Sequence, residues 1–211
     1  MAMGDSMEQF VLYLIQQAKQ PLGKTALLKL VYLADVEHYR RTGRQMTSAQ
    51  WWRDQRGPVD YAVTEEARAL QQKGLITIVS TSSRDGVKRE TYYPKSHEDV
   101  VLPERWRTMG DYVIEYFSGL PLDAIKQAAY ATEPMTPVSP VKQKLDMSRI
   151  TLYPPTTRNA SVYATPLRPG EREHILRSLV SSWAIEGIDV PPDTAERALD
   201  RALRKPLPDI G

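Results

Sequence analysis

A chain of 211 residues with 41% hydrophobic and 26% charged residues is long enough to bury one substantial core, and its four Trp and eleven Tyr belong to an ordinary globular protein. With 28 basic against 26 acidic residues the net charge is only +2, which excludes the broad positive field of a strong nucleic-acid binder. The absence of cysteine excludes disulfides and thiolate metal sites and points to a reducing compartment, the cytoplasm. Met1 to Glu8 lacks a basic leader, and Lys29 and Asp35 interrupt the longest apolar stretches, so the sequence predicts no export, no membrane span and no membrane partner.

In chain order, Asp5 and Glu8 are spaced as a capping box ahead of an apolar stripe of Phe10, Val11, Leu14, Ile15 and Ala18, which predicts a first helix with one wet face. Pro21 and Gly23 break the chain. Lys24 to Thr42 then reads as a second helix, apolar almost all round and therefore central, with Gly43 placed to end it. Thr47 and Gln50 are spaced to cap a short turn carrying Trp51 and Trp52, and Gly57-Pro58 to open a third helix with Val59, Ala62, Val63, Ala67 and Leu70 inward.

After Gly74 the period changes. Leu75 to Ser80 and Lys88 to Pro94, joined through Asp85-Gly86, read as a β-hairpin. A helix running into a hairpin has the form of a winged-helix unit. In a DNA-binding version Arg84, Lys88 and Arg89 of the wing would meet phosphates, but the helix before it exposes Asp60, Glu65 and Glu66, which phosphates repel.

Two more helices follow, Pro103 to Phe117 and Leu122 to Ala131, with Trp106 on a core stripe. The prolines at 134, 137 and 140 mark a surface loop and the best boundary. The expected organisation is a first domain over 1–146 and a C-terminal helical extension over 147–211, whose helix from Pro169 to Ile185 carries Leu179 and Trp183 on one side. The fold class is mainly α with a small β-hairpin.

Catalytic patterns are sparse. Asp35 and His38 share a helix face at i and i+3, a spacing read as a hydrogen-bonded pair at the core's edge rather than as metal ligands. His97, Glu98 and Asp99 fit the approach to a helix, where Ser96 or Asp99 can cap, and His174 lies between acids in a first helical turn. No phosphate loop or nucleophile motif occurs, so neither an enzyme nor a cofactor is expected.

The densest basic patch is Arg40, Arg41, Arg44, Arg53 and Arg56, opposed in that stretch by Asp54. Of the adjacent pair Trp51 and Trp52, at most one can face inward, which leaves the other as an interface residue. Together with Arg53, Arg56, Leu179 and Trp183 these two are the candidate partner-binding residues, Trp and Arg being the types that anchor interfaces.

The run Lys-Thr-Ala-Leu-Leu-Lys-Leu-Val-Tyr-Leu-Ala-Asp-Val-Glu-His-Tyr from Lys24, then Thr42-Gly43, Trp52, Gly57-Pro58-Val59 and Lys73-Gly74-Leu75-Ile76, resembles the Panacea domain of SocA-like antitoxins. The order and spacing carry the resemblance, and it extends over about the first two-thirds of the chain if the helices from Pro103 to Ala131 are included. It implies an antidote that neutralises a toxin encoded beside it by direct contact. A second copy of the chain and a protease receiving the toxin are further partners compatible with it, and DNA is a partner only under the winged-helix alternative.

Overall fold

The computed structural model describes residues 6–82, 88–95, 99–136 and 142–153. The helix of Pro169 to Ile185, with Leu179 and Trp183, lies outside them, as do Asp5, Arg84, the Asp85-Gly86 turn, Ser96 to Glu98 and His174. The element order is α1 (Ser6–Gln17), β1 (Leu22–Gly23), α2 (Lys24–Thr42), β2 (Trp52–Asp54), β3 (Gly57–Val59), α3 (Tyr61–Gln72), β4 (Ile76–Ser82), β5 (Lys88–Pro94), α4 (Glu104–Phe117) and α5 (Leu122–Tyr130). A 3₁₀ turn follows at Met147–Arg149. The expected mainly-α fold with a small hairpin is what forms, and none of the described helices is long and apolar enough to cross a membrane.

α2 is the axis of the molecule. Leu27, Leu30, Val31, Tyr32 and Ala34 are fully enclosed, and α1, α3, α4, α5 and β3 all pack on it, as its all-round apolar pattern predicts. Gly43 ends it at φ 73 with its amide on the Tyr39 carbonyl. α1 buries Phe10, Val11, Leu14 and Ile15 against α3 and α4, and Trp106 meets Phe10 edge to face at 5.6 Å.

β4 and β5 form the expected hairpin in unbroken register from Ile76↔Pro94 to Ser82↔Lys88. β1 adds to the other side of β5, giving the strand order β1-β5-β4. Three helices with a short strand between the first two, closed by a hairpin, make a winged-helix arrangement. The β2–β3 hairpin is inserted between its second and third helices.

That insertion corrects the sequence reading in two places. Gly57-Pro58 does not open a helix: it pairs with Arg53 and Asp54 as β3, because Gly57 at φ 96 turns the chain into an extended segment. The helix begins at Tyr61, where the Asp60 carboxylate accepts from the Ala62 amide. The Thr47 hydroxyl does accept from the Ala49 amide at 3.2 Å, but Trp52 opens β2 rather than riding on that turn, and the Gln50 amide donates to Asp60. At the start of α4, Pro103 stands at the cap position with no side-chain hydrogen bond, so Asp99 does not cap it.

Residues 142–145, beyond the proline-rich stretch, pack on the domain. The Arg53 amide donates to the Gln143 carbonyl at 2.8 Å, the Lys142 amide to the Arg53 carbonyl at 2.7 Å and the Leu145 amide to the Trp51 carbonyl at 2.8 Å, so this segment lines the free edge of β2. Further on, Ile150 is buried and the Tyr153 amide donates to the Arg40 carbonyl at the end of α2.

Gly110 lies in the interior of α4, a position that normally weakens a helix. A Cβ there would sit 2.8 Å from two ring carbons of Tyr13 and 3.3 Å from Phe10, so its absence is what lets α1 and α4 approach. Gly110→Ala therefore destabilises the fold by about 1–3 kcal/mol despite alanine's better helix propensity, read as a lower urea midpoint.

Candidate partner-binding site

The site starts with a charge inside the core. Asp35, fully buried on α2, accepts five hydrogen bonds. Its Oδ1 takes the amides of Met46 at 3.2 Å and Thr47 at 2.8 Å. Its Oδ2 takes the Thr47 hydroxyl at 2.6 Å, the Trp51 indole N–H at 2.8 Å and the Gln45 side-chain amide at 3.0 Å. Burial pushes the carboxyl up to about 6 while these donors pull the other way, so it is ionised at neutral pH. An anion on a helix thereby fixes the loop from Gln45 to Trp51.

Trp51 is the inward member of the pair, 1% exposed and edge-on to Tyr32 at 5.2 Å. Alternation of side chains along an extended segment then turns Trp52 outward, where it is 43% exposed. The hairpin bearing Trp52 is held from beneath by a second buried charge. Lys29, 1% exposed, donates through Nζ to the Pro58 carbonyl at 2.7 Å, and a Cβ on Gly57 would come within 3.0 Å of Lys29 Cε.

Tyr130 of α5 closes the other side. Its hydroxyl donates to the Gln55 carbonyl at 3.1 Å, and the Arg53 guanidinium lies over its ring at 5.5 Å. The 142–145 segment completes the frame, with Lys144 bridged to Trp52. The result is a pinned hairpin showing an indole with Arg56, Lys142 and Lys144 exposed and Arg53 half-buried near it, against Asp54. Such a surface can bind a partner, but it holds no paired nucleophile and base. Among the described residues no three His, Asp or Glu side chains converge as a metal site.

The five-arginine patch read from the sequence is divided by the fold. Arg40 pairs with Glu133 at 2.6 Å, and Arg41 is buried against Glu37 at 2.8 Å, one turn away on α2. Only Arg53 and Arg56 belong to the hairpin. Asp35 and His38 are not a bonded pair either: the His38 Nδ1 donates to the Arg44 carbonyl at 2.8 Å, while Asp35 is occupied by the loop. Of the wing cations, Lys88 and Arg89 are exposed on β5, on elements other than the Trp52 hairpin.

The residues that sequence reasoning missed are the supports: Lys29, Tyr130 and the 142–145 segment. The signal for Lys29 and Asp35 was their interruption of an otherwise apolar helix. Nothing in the local pattern points to Tyr130 or to Gln143 and Lys144.

A family model described as antitoxin SocA-like, Panacea domain, matches residues 27–136, just over half of the chain. The protein belongs to this antitoxin family. The matched Panacea domain contains Lys29, Asp35, both tryptophans, the β2–β3 hairpin and Tyr130, and it ends before residues 142–145. No curated protein and no solved structure gives a significant match.

Two outcomes follow from the buried charges. Asp35→Asn replaces an acceptor oxygen by an amide donor facing other donors, and lowers unfolding free energy by about 2–4 kcal/mol in urea titrations. For Lys29, burial lowers the ammonium from 10.5 to about 8. Between pH 8 and 10 the unfolded chain holds a proton that the folded chain has lost, so stability rises with pH, by up to roughly 1.4 kcal/mol per unit, and is flat below that window. Lys29→Met abolishes the rise, which denaturant titrations at pH 7, 8, 9 and 10 measure.

Proposed function

We propose that the protein is the antidote of a toxin–antitoxin pair and neutralises a cognate toxin, encoded nearby, by direct binding through the Trp52 hairpin. The observation that carries this reading is a large aromatic held in the open on a rigid frame. An indole 43% exposed loses contact with water when a partner covers it, and the hydrogen bonds that pin its hairpin reduce the ordering cost of binding. Arg53 and Arg56 supply the cationic rim, suited to carboxylates on the partner. Residues 147–211 serve in this reading as the partner-specific extension, with Leu179 and Trp183 as further contacts.

The winged-helix arrangement supports a second reading, binding to DNA through Lys88, Arg89 and Arg84. The helix that would enter the groove argues for the first: the outward side of α3 shows Tyr61, Glu65, Arg68 and Gln72, with Glu66 half-buried beside them. A carboxylate at that face repels phosphates.

The test is growth of a heterologous bacterium in which the adjacent open reading frame is induced with and without this protein. Arrest by the neighbour, relieved by this chain, supports the reading; a harmless neighbour, or harm that this chain leaves untouched, overturns it. In the relieved pair, Trp52→Ala weakens the complex by about 2 kcal/mol, roughly thirtyfold in Kd, while the melting temperature stays within a degree or two. Trp51→Ala instead costs about 3–5 kcal/mol of fold stability. Calorimetric titration with the purified toxin separates the two.

A further inference from the structure

The wing hairpin carries a surface of a different kind. β4 lies at the outside of the β1-β5-β4 sheet, and among the described residues no strand pairs with its outer edge. The phase of the ladder follows from the Lys95 amide, which donates to the Leu75 carbonyl at 3.0 Å one position beyond it. Counting along the antiparallel register, Thr77, Val79 and Thr81 exchange hydrogen bonds with Tyr93, Thr91 and Arg89. Ile78, Ser80 and Ser82 then turn their backbone N–H and C=O groups outward. Pro94, which has no N–H to give, falls opposite Ile76 at a non-bonded position, as that phase requires.

Natural edge strands are protected by charges, proline, bulges or brevity. β4 has none of these: Ile-Thr-Ile-Val-Ser-Thr-Ser runs seven residues, five of them β-branched, in unbroken register. On its outer face Val79 is 41% and the neighbouring Tyr93 39% exposed. The charges around this edge decide what fits it. Lys88 and Arg89 are exposed at one end of the hairpin and Lys95 at the other, while Glu90 is engaged with Lys24 at 3.7 Å. An antiparallel second copy would set the Lys88 and Arg89 end of each hairpin against the Lys95 end of the other, cation against cation. A strand bearing carboxylates meets no such repulsion.

We propose that β4 is a docking edge that takes an extended, acidic, β-branched segment of another protein as an added strand. Backbone groups of Ile78, Ser80 and Ser82 supply the ladder, Val79 and Tyr93 the side-chain contact, and the lysines and Arg89 the preference for carboxylates. This site stands apart from the Trp52 hairpin and does not depend on the partner being a toxin.

The experiment uses the full chain, labelled with ¹⁵N, and a capped synthetic peptide alternating valine or threonine with glutamate, beside a twin with lysine for glutamate. Saturable shifts and slowed exchange at the amides of Ile78, Ser80 and Ser82, with the acidic peptide at least tenfold tighter, are expected. Ser80→Pro removes an outward donor without touching a β4–β5 bond and weakens binding at least tenfold. Val79→Glu, which leaves the backbone ladder whole, does the same by like charge should the proline variant fold poorly. Shifts elsewhere, equal affinity for both peptides, or self-association through these same amides overturns the proposal. The assay contains no toxin, so its failure is distinct from that of the antidote reading.

Discussion

The carboxylate of Asp35 is the constraint on which the accessible face of this protein depends. An unpaired anion in a core is among the costliest things a fold can contain, and here five donors converge on it from the loop between α2 and β2. Because a buried ion is costly to leave unpaired, these five bonds tie the loop down. That conformation seats the Trp51 ring on Tyr32 and leaves the next residue, Trp52, outside. An interaction wholly inside the molecule thus sets the position of an exposed tryptophan.

Lys29 plays the complementary part from the same helix. Less than two turns before Asp35, it reaches through the core to the Pro58 carbonyl, and the space that a side chain at Gly57 would need is taken by its stem. The Gly-Pro-Val segment is therefore a strand fitted over a buried ammonium. One helix, by carrying an anion and a cation in an apolar sequence, holds both ends of the inserted hairpin. The rigidity of the Trp52 face follows from electrostatics as much as from packing.

The winged-helix arrangement presents surfaces of its own. Its third helix shows a mixed-charge face, whereas its hairpin leaves an uncharged, β-branched edge with cations at both ends. In the readings proposed above, both surfaces take protein segments rather than phosphates. The Panacea domain so described carries two separate candidate contact surfaces, an exposed indole and an unpaired strand edge.

Periodicity and composition determined the elements of this protein: α2 as the enclosed axis, α1 and α4 as one-sided helices, and β4–β5 as a hairpin were all legible, because burial imposes a repeat that short sequence windows record. The resemblance to the Panacea domain rested instead on the order and spacing of its motifs. What only the tertiary structure decided is the surface. A glycine-proline pair favours a helix start as readily as a strand, and its pairing with Arg53 and Asp54 settled the matter. Which tryptophan faces inward depended on Asp35, sixteen residues away along the chain. Arg40 and Arg41 left the basic patch for Glu133 and Glu37, while Tyr130 reached Gln55 from 75 residues off and Gln143 reached Arg53 from farther still. Local sequence fixes what each segment prefers; contacts between distant segments choose which of those preferences reaches the solvent.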